Sequence, residues 1–156
     1  MPEGVISTDD PRAEDVRALL ERHLAYAHAN SAPEDIHALD VDALLDPAVT
    51  FFSFRARGEL LAVGALKRLD AAHAEIKSMH TTKAARGRGI GRAMVDHLVA
   101  VARERGHRRV SIETGAGAAF APARRLYRSA GFAPCAPFAD YGHSHESAYM
   151  TLSLDG

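Results

Sequence analysis

A single cysteine, Cys135, is all the thiol this chain holds, so no intramolecular disulfide can staple it and no cysteine cluster can bind zinc. Tryptophan is absent and aromatics make up only 6% of the residues, which leaves no aromatic–basic stripe of the kind that stacks nucleic-acid bases. An excess of one charge is also missing. With 19 Lys plus Arg against 20 Asp plus Glu, the net charge is −1, which argues against nucleic-acid binding through bulk charge, so any basic character must be local. No apolar run approaches the ~18 residues of a membrane span, and Met1, Pro2, Glu3 and Gly4 lack the charged and apolar regions of a signal peptide. The expected location is the cytoplasm, with neither a membrane nor a nucleic acid as partner. At 156 residues and 47% hydrophobic, the chain reads as one globular domain spanning 1–156. A chain of this size buries roughly 70% of its unfolded surface and needs no staple.

Hydrophobic spacing divides the chain into elements. Val5 and Ile6 open a short strand, and Thr8, Asp9, Asp10 and Pro11 are helix-start signals before a helix whose apolar face is Val16, Leu19, Leu20, Leu24 and Ala27. Ser31, Pro33 and Glu34 open a second helix carrying Ile36, Leu39, Leu44 and Leu45. The period then changes. Val49–Ala56 and Glu59–Leu69 form a hairpin about Arg57 and Gly58, and His73–Thr81 is a third strand. Ile90, Met94, Leu98, Val101 and Ala102 recur at helical spacing until Gly106 ends the helix. Arg109–Thr114 is a strand, Phe120–Ser129 a helix closed by Gly131, and Ser147–Leu154 a last strand. A mostly antiparallel sheet with helices on both faces is the economical packing of this α/β (α+β) order.

Between the third strand and the following helix stands Arg86-Gly87-Arg88-Gly89-Ile90-Gly91-Arg92. Alternating glycines permit φ > 0 and let successive N–H groups turn toward an anion at a helix N-terminus. Two known phosphate loops fit poorly. No Lys followed by Ser or Thr comes after Gly91, as a nucleoside-triphosphate loop requires, and positions 92 to 94 lack the third glycine of a dinucleotide fingerprint.

This loop in its strand–helix setting, together with Ala123–Phe132 (ARRLYRSAGF) after the next strand, resembles the GCN5-related N-acetyltransferases, the GNAT family. Arg86, Gly89 and Gly91 fill that family's signature of Arg or Gln, two residues, Gly, one residue, then Gly or Ala. The resemblance implies a mixed, mostly antiparallel sheet of six to seven strands flanked by about four helices, with two parallel strands splayed apart. It implies acetyl-CoA as cosubstrate, with Met79, His80 and Thr81 beside the pantetheine and Gly87, Gly89, Ile90 and Gly91 enclosing the pyrophosphate. Arg86, Arg88 and Arg92 are then charge-assisted phosphate partners. Phe120 stands where many relatives carry an Asn, seven residues before the tyrosine; either it packs the pantetheine rather than hydrogen-bonding it, or the longer loop supplies a backbone substitute.

For catalysis the resemblance points to Tyr127 facing the departing sulfur and to Glu113 as general base, with Glu75 second and His80 an alternative. Gly115 to Ala118 lengthen the loop between Glu113 and Tyr127 relative to the ribosomal-protein acetyltransferases. A phenol of pKa ~10 does not favourably hand its proton to a thiolate of pKa ~8.5, so Tyr127 acts through a hydrogen bond or concerted transfer. Asp140, Tyr141, His143 and His145 are candidates for the acceptor pocket. His143 and His145 beside Glu146 are not a specific zinc spacing, and no metal is expected. The implied acceptor is a small-molecule primary amine, attacked in a ternary complex. A protein or peptide terminus, a non-turning-over acyl-CoA sensor and a nucleic-acid module built on Arg103, Arg105, Arg108 and Arg109 are the alternatives, and a homodimer stays open.

Overall fold

The computed structural model describes residues 3–30, with side chains through 22, and residues 41–154. The hairpin forms as its composition demands. Strands β2 (Val49–Ala56) and β3 (Glu59–Arg68) pair antiparallel with Ala56 opposite Glu59. Arg57 and Gly58 take φ of 54° and 80°, and positive φ at both central positions matches the right-handed twist of the flanking strands. Strand β1 (Val5–Thr8) adds to β2, and β4 (His73–Thr81) adds to β3, both antiparallel. Strand β5 (Arg109–Gly115) lies parallel to β4, β7 (Ser147–Ser153) is antiparallel to β5, and the short β6 (Ala133–Pro134) closes the far edge. The sheet therefore has seven strands in the order β1-β2-β3-β4-β5-β7-β6, with one parallel pair, as expected for the family.

Each face has its own core. Helix α3 (Ile90–Glu104) turns the fully buried Ile90, Met94, Val95, Leu98 and Ala102 onto Ala62, Leu66, Ile76 and Val110, at the spacing read from sequence. Helix α4 (Ala121–Ser129) adds Tyr127 to the same layer, after a 3₁₀ turn over Ala118–Phe120; the sequence started this helix one residue earlier, at Phe120. On the other face α1 (Glu14–Asn30) and the short α2 (Val41–Leu44) place Val16, Leu19, Leu20 and Leu44 over Phe51, Leu60, Val63 and Ala65. The expected second-helix start, with Ser31, Pro33, Glu34, Ile36 and Leu39, lies outside the described residues, as do the side chains of Leu24 and Ala27; Leu45 is 43% exposed. The start of α1 is tied to β2 by charge. Arg55 meets Asp15 through two hydrogen bonds of 2.6 and 3.0 Å and Asp9 at 3.0 Å, while Ser53 Oγ donates to Asp9.

Three histidines are packed into this fold. Burial lowers the pKa of His73, His97 and His107 from the ordinary 6.5, and His97, set edge-on to Phe52 at 4.8 Å, has a buried Nε2 without a partner. A histidine held neutral in the fold takes up its proton more readily once unfolded. Its contribution is therefore present above about pH 6.5 and is lost as pH falls through the lowered folded value. Calorimetric Tm should decline between about pH 7 and pH 5, and His97→Gln should flatten that decline; a Tm independent of pH over this range would contradict it.

Candidate active site

The parallel ladder is short. β4 and β5 pair from His73↔Arg109 to Ile76↔Ile112 and no further, although each continues along its other neighbour: Lys77, His80 and Thr81 against β3, and Glu113, Thr114 and Gly115 against β7. A bulge causes the parting. The β3–β4 register slips between Val63 and Ala65, and Ser78, the extra residue, sits at φ 56° with its Oγ buried and unpartnered. Left-handed backbone at a non-glycine residue costs on the order of 1–3 kcal/mol and persists only where its surroundings enforce it. Gly64, opposite, is part of that enforcement, because a Cβ there would lie 2.9 Å from Met79 Sδ and 3.0 Å from Met94 Cγ. Beyond Ile76 the β4 backbone facing β5 is left with donors and acceptors outside the ladder. Met79, His80 and Thr81 lie on this stretch. Register puts Thr81 with Ala62 on the α3 face and His80 with Val63 on the α1 face.

After β4 a 3₁₀ turn (Lys83–Ala85) leads into the glycine loop. Gly87 and Gly89 both have φ 77°, and Gly89 is the N-cap of α3. No side chain caps the helix, so the first-turn N–H groups of Ile90, Gly91 and Arg92 keep their hydrogen-bonding capacity for an anion, with the helix dipole adding about 0.3–1 kcal/mol. Around Gly87 the space is open, with no atom within 4 Å of an added Cβ. Gly91 has a packing role as well, its Cβ position lying 3.2 Å from Leu126 Cδ2 and 3.5 Å from Thr81 Oγ1. The three arginines differ. Arg86 and Arg88 are exposed and form no ion pair among the described residues. Arg92 bonds Asp96 at 3.0 Å and, on α4, Ser129 O and Oγ at 3.0 and 3.2 Å.

Tyr127 on α4 lies within electrostatic reach of Glu113 near the end of β5. Tyr127 is 4% exposed and packs on Phe132; burial holds its phenol well above the usual range, and the charge of Glu113 pushes it the same way. The Phe120 ring lies flat on Gly115, where any Cβ would overlap it, so glycine ends β5 by necessity. Arg124, which the sequence did not single out, donates to the carbonyls of Gly115 (2.6 Å) and Gly117 (2.9 Å) and satisfies that strand end.

On the α1 face a second polar set joins Glu75 and Tyr141, both singled out in the sequence, to Lys77, which was not. Lys77 Nζ donates to Glu75 Oε2 (3.1 Å) and to Tyr141 Oη (2.6 Å), and Tyr141 Oη donates to the same Glu75 oxygen (2.6 Å). Glu75 is 3% and Lys77 9% exposed by side chain. Phe138, Tyr141 and Tyr149 pack against one another at 5.2–5.9 Å between ring centres and seat the 135–146 loop over these groups. Burial, then Glu75, raises the Tyr141 phenol far above its ordinary value. Asp140, His143 and His145 are exposed, and among the described residues no group of three His, Cys, Asp or Glu converges to hold a metal. His73 belongs to a different chain of bonds. Arg109, which can only donate, bonds His73 Nδ1 (3.2 Å), so Nε2 carries the proton and donates to Ser111 Oγ (2.7 Å), which is 2.8 Å from Thr151 Oγ1. A serine that receives a proton from histidine is not activated as a nucleophile.

Two parallel strands parting at a bulge, beside an uncapped glycine helix start and a buried tyrosine, define an acyl-CoA-binding transferase. The profile of the Acetyltransferase (GNAT) family matches residues 13–132. The N-acetyltransferase YsnE of Bacillus subtilis is 44% identical over 96% of this chain and 99% of its own length. An IAA acetyltransferase of Azospirillum brasilense is 32% identical over 99% of this chain and 100% of its own. A solved GNAT family acetyltransferase from Elizabethkingia anophelis with acetyl-CoA bound shares the fold, with TM-score 0.72 at 17% identity, covering 99% of this chain and 100% of that one. The chain belongs to the GNAT family and is an acetyl-CoA-dependent acyltransferase. Among the described residues no helix is long and apolar enough to cross a membrane.

The bulge can be probed through its packing. Gly64→Ala should cost about 1–3 kcal/mol in chemical denaturation by overpacking, and Met79→Ala in the same chain should restore part of it; additive losses in the double variant would show that the two residues do not compete for space.

Proposed function

We propose that the enzyme moves the acetyl group of acetyl-CoA to the primary amine of a small molecule by direct attack in a ternary complex. The observation that carries this reading is the end of β4–β5 pairing at Ile76 and Ile112, which leaves β4 backbone groups outside the ladder; the uncapped start of α3 and the influence of Glu113 on Tyr127 support it. A relative named for IAA rather than for a protein acceptor favours a small molecule.

In this reading the first-turn N–H groups of α3, with Arg86 and Arg88, bind the pyrophosphate, and Arg92 fixes the helix start against α4. A backbone N–H of Met79, His80 or Thr81 polarises the thioester carbonyl. Glu113 takes a proton from the acceptor ammonium, directly or through water. The gain depends on the acceptor: an α-amine of pKa ~8 is about a tenth free base at pH 7, and an alkyl amine near ~10.4 less than a thousandth. The free amine then attacks the carbonyl carbon, the new C–N bond forms and the C–S bond breaks; the nitrogen loses its second proton to solvent, the departing thiolate takes one up to become CoA thiol, and one proton is released overall from the starting ammonium. A tyrosine whose phenol is raised by burial stays protonated throughout, so Tyr127 serves as a hydrogen-bond donor that strengthens as charge builds on sulfur.

Tyr127→Phe should lower kcat by roughly tenfold to a hundredfold with little change in the acetyl-CoA Kd measured by calorimetry. Unchanged kcat would remove the phenol from the mechanism, and tight CoA binding without thiol release from any amine would favour a sensor over an enzyme.

A further inference from the structure

We propose that the Glu75–Lys77 ion pair recognises the acceptor, and that the acceptor it selects is an α-amino acid. This rests on the acetyltransferase reading above and names its second substrate. The pair is nearly closed off from bulk water, at 3% and 9% side-chain exposure, yet neither member is saturated. Glu75 uses only Oε2, which takes both Lys77 and Tyr141, while Oε1 accepts no hydrogen bond among the described residues. Lys77 spends two of its three N–H donors, on Glu75 and on Tyr141. A buried ion pair offsets its desolvation only when its remaining lone pairs and protons find partners. One spare acceptor beside one spare donor is the complement of a molecule carrying an ammonium and a carboxylate on one carbon.

The location suits this role. Lys77 and Glu113 are the residues that follow the last β4–β5 pair, so an ammonium held at Glu75 Oε1 lies on the face that presents the proposed base. Glu113 pairs in register with Tyr149, whose ring contacts that of Tyr141 at 5.7 Å. With Phe138 these rings give the site an apolar wall for a side chain. A polyamine would bring a second cation toward Lys77, and a simple amine would leave the spare lysine donor unmatched. Acetylation also favours release, because the ammonium becomes a neutral amide and its attraction to Glu75 ends.

The test compares apolar amino acids such as phenylalanine and leucine with their decarboxylated amines and with a polyamine, following CoA thiol release by the full-length enzyme. Amino acids should show kcat/KM at least about tenfold higher than their decarboxylated counterparts. Lys77→Met should raise acceptor KM and erase the preference while the acetyl-CoA KM stays unchanged, and Lys77→Arg should recover part of the preference. Equal or faster turnover of the decarboxylated amines or the polyamine overturns this proposal and leaves the acetyltransferase reading standing. Thiol release with none of these acceptors overturns both. The wild-type comparison decides the matter even where Lys77→Met fails to fold, and a preference that survives in a folded Lys77→Met also overturns the role given to the pair.

Discussion

Strand pairing is ordinarily lost at frayed ends; here the β4–β5 ladder stops in mid-sheet, while β4 continues along β3 past its bulge and β5 continues along β7. The bulge at Ser78 is the cause, and the site depends on it. A continuous ladder would consume the β4 donors that face the opening and bring β5 up against them, leaving no room between His80 and Glu113. The strain at Ser78 is held by Gly64 on one side and by Met79 against α3 on the other, so the opening is built into the core rather than into a loop.

Two buried polar networks flank the opening and behave differently. In the first, Arg109, His73, Ser111 and Thr151 form a run in which each donor meets an acceptor, ending on the carbonyl of Val110. Its bonds are consumed, and its effect is to hold β4, β5 and β7 together beneath Phe138. In the second, Glu75, Lys77 and Tyr141 close a ring but keep one acceptor and one donor in reserve. The contrast separates a group that supports the sheet from one that can meet a ligand, although both contain residues of catalytic type.

Much of this was readable before folding. The period of Ile90 to Ala102 and the glycines at 87, 89 and 91 encode helix and loop locally, and the Arg57–Gly58 turn announces its hairpin through the glycine. The bulge was not readable, because its left-handed residue is a serine and the glycine that permits it sits on another strand. Neither was Lys77, whose partner Tyr141 is 64 residues away and arrives only through the packing of three aromatic rings. Arg92 shows what motif reading leaves out. Its place in the loop suggests a phosphate contact, and its guanidinium also reaches Ser129 on a helix that local pattern does not connect to it.

That reach has a mechanical side. Arg92 grips the last turn of α4 from the first turn of α3, with Asp96 bracing it from one turn further along. The helix that begins at the glycine loop and the helix that carries Tyr127 are thus clamped at their ends, and a displacement of one is transmitted to the other. In the proposed binding mode, a donor seated at the glycine loop and the phenol of Tyr127 stand at the two ends of this clamped pair, which then acts as a caliper for a long, flexible cosubstrate.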